Sequence, residues 1–425
     1  MAASNYNKNK KRKKKKAQQE VEQAVVQSFK KAPLITVLVI VLILAILVGV
    51  CFYLYSVKNP TFMSLYYKIF GGSEYSFTEE DDLGEHKVVA IEGDLSVHFL
   101  TLGNEYTGDC VYIKAGDNDI LVDAGSRANS VPTIQSYLSN YMTDNVLEYV
   151  IVTHADQDHI AGFAASNGLF SIYECQTIID FAKSNKKLTT DNGGKTLYAK
   201  YLENRDDEVS QGAKRYSAQE CIAQTGGAKK EYQLTSEIKI TILDQRFYRD
   251  YSSDENNYSV CFMLTHGQRN FLFTGDLEAD GETSLVNLNT LPEVELFKAG
   301  HHGSKTSSND NLLNVIKPKI VCVCCCAGST EYTQNIANMF PTQDFINRVA
   351  KHTDKVYVTS RMVIKYDEEK KKYVNVGEVK PMNGNIVVMS TDTEVKVDCS
   401  FNNLKLKETK WFKNKRTCPD AWKVA

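Results

Sequence analysis

Six consecutive residues of the chain, from His154 to His159, carry an unusual density of groups that bind metal ions or protons. The run is His-Ala-Asp-Gln-Asp-His, and it follows the apolar stretch Val-Ile-Val-Thr, which predicts a short strand. Burying several imidazoles and carboxylates together is costly unless a cation or another partner compensates them. The spacing therefore indicates a metal site. Its candidate ligands in this run are His154, Asp156, Asp158 and His159.

Other ligand-type residues also follow apolar runs. Asp123 lies in ILVDAG, Asp276 ends FLFTGD, and the pair His301 and His302 follows FKAG. A single aspartate at a strand end is more often a turn former or helix cap. Several such ends can nevertheless meet at one edge of an α/β sheet, where ligand sites are built. We therefore expect these residues to converge.

The residues after the histidine pair favour a phosphate ligand. Lys305 offers a cation, Ser304 and the following hydroxyl residues offer donors, and a helix is predicted to begin near Ser308. Helix N-termini bind phosphate groups well. The same serines also suit a simple helix cap, and the sequence leaves both roles open.

The predicted elements form two similar halves. Short β-rich runs such as LSVHFLTL, DCVYIKA and DILVDAG lead to the first ligands, and SEIKITILD, YSVCFMLT and NFLFTGD lead to the later ones. Helical spacing follows each group, which predicts an α/β sandwich with its functional loops along one edge. IVCVCCC is predicted to be a buried strand in which cysteine acts as a small hydrophobic residue. The sequence leaves open whether Cys399 and Cys418 pair, and the polar segment 183–233 is predicted to be an insertion.

In combination these motifs resemble the metallo-β-lactamase superfamily, and within it the extracytoplasmic domain of ComEC-type competence proteins. The resemblance spans roughly residues 95–395 and rests on FLTLGNEYTGD, LVDAG, HADQDH, NNYSVCF, the TGD turn and HHGSKTSS. It implies an αββα sandwich with one or two divalent metal ions, Zn²⁺ or Mn²⁺, at the sheet edge. It also implies hydrolysis of a phosphodiester.

The resemblance implies roles for individual residues. His154 and Asp156 would serve one metal position, Asp158 and His159 the other, with Asp276 bridging and one of His301 and His302 completing the second. Asp158 would also accept the proton of the attacking water, and Lys305 would be a catalytic cation. Asp123 and Ser304 would not bind the metal themselves but would orient the ligands or their loops.

Two departures from the family pattern affect this expectation. An aspartate, Asp156, stands where most members have histidine, and oxygen ligands shift the preference from Zn²⁺ toward Mn²⁺ or Mg²⁺. His266 is the one histidine between His159 and Asp276, and it lies in a predicted hairpin turn. The first metal site is therefore expected to be weak or empty.

The N-terminal part predicts a membrane anchor. Residues 1–33 are polybasic, and no charged residue lies between Ala32 and Val57, which predicts a transmembrane helix over residues 34–57. By the positive-inside rule the N-terminus is cytoplasmic and the rest lies outside. We predict a linker over 58–86, the metal-binding domain over 87–400 and a basic tail over 401–425.

Charge and organisation limit the function. The part between the two basic termini is net acidic, which excludes a globally basic nucleic-acid binder. The leading hypothesis is a membrane-anchored phosphodiesterase or nuclease, with single-stranded DNA as a candidate substrate and the aromatic basic tail as a local attraction. The alternatives are an envelope phosphodiesterase acting on a wall polymer, and a metal-stabilised binding module with little turnover.

Overall fold

The computed structural model describes residues 82–391 and 393–423, together with residue 19, residues 44–51 and residue 53. The chain divides into two units, residues 1–72 and 73–425.

In the first unit, residues 44–51 and 53 are helical and exposed. The rest of the predicted helix 34–57, the polybasic segment and most of the predicted linker lie outside the described residues. Among the residues that are described, no helix has both the length and the apolar character needed to cross a membrane.

The second unit is built on two eight-stranded sheets flanked by short helices. Its strands are β1 (Leu95–Phe99), β2 (Val111–Ala115), β3 (Asn118–Val122), β4 (Val146–Ile151), β5 (Glu174–Asp180), β6 (Lys214–Ser217), β7 (Glu231–Gln233), β8 (Ile238–Ile242), β9 (Phe262–His266), β10 (Arg269–Phe273), β11 (Leu296–Lys298), β12 (Ile320–Ala327), β13 (Val356–Asp367), β14 (Lys372–Pro381), β15 (Ile386–Ser390) and β16 (Val395–Cys399). Its α-helices are α1 (Val131–Leu138), α2 (Gln157–Ala164), α3 (Leu197–Ser210), α4 (Ala218–Ala223), α5 (Ala279–Leu288), α6 (Asp310–Ile316), α7 (Gln343–Val349), α8 (Lys410–Lys415) and α9 (Asp420–Lys423).

Each sheet is half antiparallel and half parallel. The first has the order β16-β15-β1-β2-β3-β4-β5-β6, and the second has the order β14-β13-β12-β11-β10-β9-β8-β7. Strands β3 to β6 run parallel in the first sheet, and strands β10 to β13 run parallel in the second. The carboxyl ends of neighbouring parallel strands lie at the same sheet edge.

Successive side chains of a strand point to opposite faces of its sheet, so the buried residues fall into two apolar layers. In β12, Cys322 and Cys324 join the layer between the sheets, whereas Val321 and Val323 join the layer under the outer helices of the second sheet. Every residue of β12 is buried, so its prediction as a buried strand is confirmed. Phe262 stacks between the sheets with its ring centroid 4.5 Å from a neighbouring phenyl ring, and burying such a side chain contributes roughly 1.5–3 kcal/mol.

Helices cover the outer faces, which gives the four layers helix, sheet, sheet, helix. Ile134 of α1 and Phe163 of α2 belong to the core of the first sheet, and Leu285 of α5 and Leu312 of α6 pack under the second. The predicted mixed α/β sandwich with two large sheets is confirmed. Cys399 and Cys418 are both free thiols.

The expected tail needs correction, whereas the predicted insertion contributes strands. Residues 183–233, predicted as an insertion, supply one edge strand of each sheet, β6 and β7. The segment 401–423 is not a free tail, because Trp411, Phe412 and Trp422 are buried against the second sheet's outer layer. The apolar area of these three rings outweighs the solvation of the lysines between them.

Candidate metal centre

The predicted site residues stand just beyond the carboxyl ends of the parallel strands. Asp123 follows β3, His154 follows β4, Asp276 follows β10, and His302 follows β11. Asp123 and His302 have left-handed backbone conformations, with φ of 58° and 54°. Such conformations are unfavourable for residues with side chains and concentrate at functional sites, where the surrounding structure holds them.

Three buried histidines leave the same ring nitrogen, Nε2, without a hydrogen-bond partner among the described residues, and His159 shares one group of possible ligands with His154 and another with His302. The Nδ1 atom of His159 lies 2.8 Å from Asp123 Oδ2, and His302 Nδ1 donates to the Cys324 carbonyl over 2.9 Å. His154 Nδ1 lies 3.1 Å from Thr153 Oγ1. A proton on Nδ1 leaves the Nε2 lone pair free, which is the tautomer that binds metal.

Carboxylate oxygens complete this arrangement. Asp276 Oδ2 lies 3.2 Å from His159 Nε2 and 3.2 Å from His302 Nε2, and Asp158 Oδ2 lies 3.4 Å from His302 Nε2. Tetrahedral ligands with bonds of about 2.0–2.1 Å are separated by about 3.3–3.4 Å. These three separations match those of ligands around one divalent ion. Asp158, His159 and His302 form one group whose ligand atoms lie within 4.8 Å of one another, and His154, His159 and Asp276 form another.

Several of these atoms have no hydrogen-bond partner among the described residues, although they are fully buried. They are Nε2 of His154, His159 and His302, Oδ1 of Asp276 and both carboxylate oxygens of Asp109. An unpartnered buried polar atom costs roughly 1–3 kcal/mol. Asp109 Oδ2 and Asp276 Oδ1 face the Lys298 ammonium group. A cation beside His159 would satisfy its Nε2 atom together with that of His302 or of His154, so the residues present fit a metal ion.

The electrostatics of the centre show the same demand for positive charge. Burial lowers the pKa of His159 and of His302, but the carboxylate of Asp276 and its neighbours outweigh this and raise each pKa well above the ordinary value. Burial raises the pKa of Asp158, yet His302 and His159 hold it below its usual range. A divalent ion meets this demand without protonating the imidazoles.

The structure distinguishes the two adjacent histidines. His302 is buried and faces the centre, whereas His301 is partly exposed and its Nδ1 lies 3.3 Å from Glu278 Oε1. Among the described groups of residues that could hold an ion, two contain His302 and none contains His301. The carboxylate of Asp123 lies against His159, with Oδ2 2.8 Å from His159 Nδ1.

Two other predicted residues lie apart from the converging atoms. The Lys305 side chain is exposed, and Arg348 donates to its backbone carbonyl over 3.0 Å. Ser304 Oγ lies 3.0 Å from Thr306 Oγ1 and supports the turn rather than a ligand. The structure does not bring Lys305 to the centre, because its side chain leaves the turn on the solvent side.

The candidate ligands of the first metal position are arranged differently. Asp156 Oδ2 lies 3.5 Å from His154 Nε2, and its other oxygen contacts the ammonium group of Lys186. His266 lies at the end of β9, where its Nδ1 is 2.9 Å from Ser390 Oγ. It belongs to none of the groups of described residues that could hold an ion.

Sequence reasoning missed a buried ion pair beside the centre. The ammonium group of Lys298 contacts Asp109 Oδ2 and lies 3.6 Å from Asp276 Oδ1. Burial lowers the pKa of Lys298, but Asp109 and Asp276 raise it further, so the amine stays charged. Both residues lie inside recognised motifs, FLTLGNEYTGD and FKAG. The place of Asp109 and Lys298 in these motifs was the one feature of the sequence that could have marked them as part of the site.

A cavity of about 330 Å³ opens above the centre. Arg127 lines one side, where its guanidinium lies 3.1 Å from Glu331 Oε1 and 3.9 Å from the Tyr106 ring centre. Lys186 lines the cavity with Asp156 and Asp276, and the exposed Tyr332 donates to Asp158 Oδ2 over 2.9 Å. The cavity is thus lined by four carboxylates and two cations, and each cation is paired with one of the carboxylates.

Comparison with known proteins agrees with the motifs. The sequence profile of the metallo-beta-lactamase superfamily matches residues 103–166 and 254–327. These two ranges contain the strand ends that carry the centre, and the superfamily resemblance predicted from the motifs is confirmed. The unmatched residues between them include the whole segment 183–233.

Two competence proteins are similar to the chain. ComE operon protein 3 of Bacillus subtilis is 27% identical over 176 residues, which are 41% of this chain and 19% of that protein. Competence protein ComA of Neisseria gonorrhoeae is 27% identical over 263 residues, which are 61% of this chain and 30% of that protein. The matched region is less than a third of the length of either relative.

A solved structure, the metallo-beta-lactamase fold protein YhfI of Bacillus subtilis, matches with a TM-score of 0.32 and 14% identity. The match covers 62% of this chain and 85% of that one.

Proposed function

The chain carries a domain of the metallo-beta-lactamase superfamily, and from this premise we propose that it is a metal-dependent phosphodiesterase acting outside the cytoplasmic membrane. The observation that carries the proposal is the set of buried, unpartnered imidazole Nε2 atoms of His159 and His302 beside Asp158 and Asp276, next to a cavity that Arg127 and Lys186 also line.

The residues that would hold the ion are Asp158, His159, Asp276 and His302. When bound, a divalent ion supplies a Lewis acid that makes water a stronger acid near neutral pH and offsets negative charge on the phosphoryl group. Two imidazole nitrogens and two carboxylates suit Zn²⁺. The equal share of oxygen ligands also suits Mn²⁺. Asp123 keeps His159 in the required tautomer.

The cavity walls favour an anionic substrate. Arg127 and Lys186 stand on the walls, and each is already paired with a carboxylate, Glu331 and Asp156 respectively. A phosphodiester has one negative charge and two non-bridging oxygens. These oxygens can accept hydrogen bonds from both cations while the phosphorus lies beside the metal ligands. The pairing keeps both cations in place before the substrate arrives.

Asp158 is suited to receive the proton of the attacking water. Its Oδ2 accepts from Tyr332 over 2.9 Å, and a carboxylate beside the ion is within reach of a proton on a bound water. Tyr332 fixes the carboxylate and presents an exposed ring at the cavity mouth. That ring offers a stacking surface for a base of single-stranded DNA.

The location is part of the proposal and rests on the sequence. Ten basic residues precede the apolar stretch 34–57, which orients such a segment with its N-terminus in the cytoplasm. Protease added to intact cells should remove the domain. Digestion only after lysis would contradict the topology.

The activity test uses the full chain in mild detergent with bis(p-nitrophenyl) phosphate, single-stranded DNA and a glycerol-phosphate wall polymer. Hydrolysis should require Mn²⁺ or Zn²⁺ and disappear in Asp276→Ala and His302→Ala, while His301→Ala keeps it. Preference for the wall polymer would make the chain an envelope phosphodiesterase. Full activity in a chelated protein would refute the proposal, and metal binding without turnover on all three substrates would indicate a binding module.

A further inference from the structure

Lys186 reaches the metal centre from a part of the chain that lies outside the matched superfamily ranges. It belongs to the irregular segment 183–196 between β5 and α3, and its ammonium group contacts Asp156 Oδ1. The side chain is 39% exposed and lines the same cavity as Asp276 and Tyr332. It is therefore paired with a predicted metal ligand and open to the substrate cavity.

The backbone around Lys186 is fixed to the loop that precedes β9. The Asn185 backbone N donates to Glu255 Oε2 over 2.7 Å, and Asn185 Nδ2 donates to the Ser252 carbonyl over 2.8 Å. Lys183 Nζ donates to the Arg249 carbonyl. These hydrogen bonds fix the backbone on which Lys186 stands. The ammonium group is therefore held at the cavity by ordered chain and is not the end of a freely moving surface side chain.

Lys186 pairs directly with the carboxylate of Asp156. Its ammonium group contacts Asp156 Oδ1, and Asp156 Oδ2 lies 3.5 Å from His154 Nε2. The amine thus occupies the carboxylate that would otherwise serve the first metal ion.

The first metal position shares its donors with the other ion. His154, His159 and Asp276 offer ligand atoms within 4.8 Å of one another, and Asp156 Oδ2 lies 3.5 Å from His154 Nε2. His159 and Asp276 also contact each other and the ion position beside His302. Asp276 would have to bridge two ions. Its Oδ2 lies between His159 and His302, and its Oδ1 faces the ammonium of Lys298. A second ion would have to displace two ammonium groups from carboxylates they already neutralise.

We propose that the centre binds a single divalent ion and that Lys186 takes the place of the first one, providing the second positive charge against the substrate. Asp276 then serves one ion and does not bridge two. The role of Lys186 toward a phosphoryl oxygen rests on the proposed phosphodiesterase function. The single-ion stoichiometry does not, because it follows from the ligands and cations alone.

The test compares Lys186→Met with the matched control Lys187→Met in the full chain. Lys187 is the next residue, its side chain is 81% exposed, and its ion pair with Asp191 is 3.9 Å long. Each protein, stripped with a chelator and dialysed against graded Mn²⁺, is assayed for bound metal. The wild type and Lys187→Met should bind one equivalent. Lys186→Met should bind a second, weaker equivalent, because Asp156 is then free.

Kinetics on bis(p-nitrophenyl) phosphate give the second readout. Losing a charge-assisted contact should raise the KM of Lys186→Met by about tenfold or more. Two equivalents in the wild type, or a Lys186→Met protein that matches Lys187→Met in both stoichiometry and KM, would overturn the inference. If no protein hydrolyses the substrate, but the stoichiometries are one and two as expected, the single-ion assignment stands and the phosphodiesterase proposal fails.

Discussion

Replacing Asp123 with asparagine should weaken metal binding without touching a metal ligand. The buried carboxylate accepts three hydrogen bonds, from the backbone N of Thr153, from Thr153 Oγ1 and from His159 Nδ1, each 2.8 Å long. Asparagine has nearly the same shape but only one acceptor oxygen. If that oxygen stays on the Thr153 amide, the new NH₂ group faces His159 Nδ1.

Two N–H groups cannot face each other in a buried site, so the imidazole must move its proton to Nε2. The lone pair that faces Asp276 and His302 is then lost. Partners of this kind are typically worth 10–100-fold in metal affinity, which corresponds to about 1.4–2.8 kcal/mol of binding free energy. Asp123 is only 1% exposed, so water cannot easily take over the hydrogen bond.

The assay is Mn²⁺ and Zn²⁺ affinity by calorimetry on the full chain, with thermal unfolding of the metal-free protein measured alongside. Asp180→Asn is the matched control. Asp180 is also a buried aspartate at a strand end in the same sheet, but it pairs with Arg205 and Arg215. It should lower stability and leave metal affinity unchanged.

Two results would refute this reasoning. One is an Asp123→Asn protein that binds the ion as tightly as the wild type. The other is an Asp180→Asn protein that loses as much affinity, since the effect would then come from general destabilisation and not from the tautomer of His159.

Three further outcomes follow from the same geometry. His302→Ala should lose the bound ion and His301→Ala should keep it, as measured by metal content after dialysis. Burial raises the pKa of Glu282 from 4.5 to about 7. The folded protein therefore holds that proton longer, and its unfolding free energy should fall by about 3 kcal/mol as pH rises through this window; Glu282→Gln should remove that part of the fall in denaturant titrations at several pH values. Asp109→Asn should cost about 3–5 kcal/mol in urea unfolding because it leaves the buried Lys298 ammonium underpaired, and Lys298→Met in the same protein should recover part of the loss.

Local pattern predicted much of the centre. The run from His154 to His159 follows a strand, and Asp123 and Asp276 end strands of their own, so alternation and strand order already placed these groups at one edge. The sheet-edge argument holds because parallel strands end together. It needed no knowledge of distant contacts.

Contacts between segments far apart in the chain were outside that reasoning. Lys186 lies in a polar stretch with no periodic pattern, and it reaches Asp156 because Asn185 is bonded to Glu255. Trp411 belongs to a segment rich in lysine, yet it is buried, because the second sheet presents an apolar outer face that the sequence does not locate.

The sequence by itself determined the residue types at the centre, the strand ends that carry them and the superfamily, because these depend on local order along the chain. The tertiary structure alone decided that His302 and not His301 faces the centre, since the left-handed turn at both residues sends their rings in different directions. It alone placed the ammonium groups of Lys186 and Lys298 among the carboxylates. Charge compensation in a buried site depends on distances through space, and those are fixed only when the sheets pack.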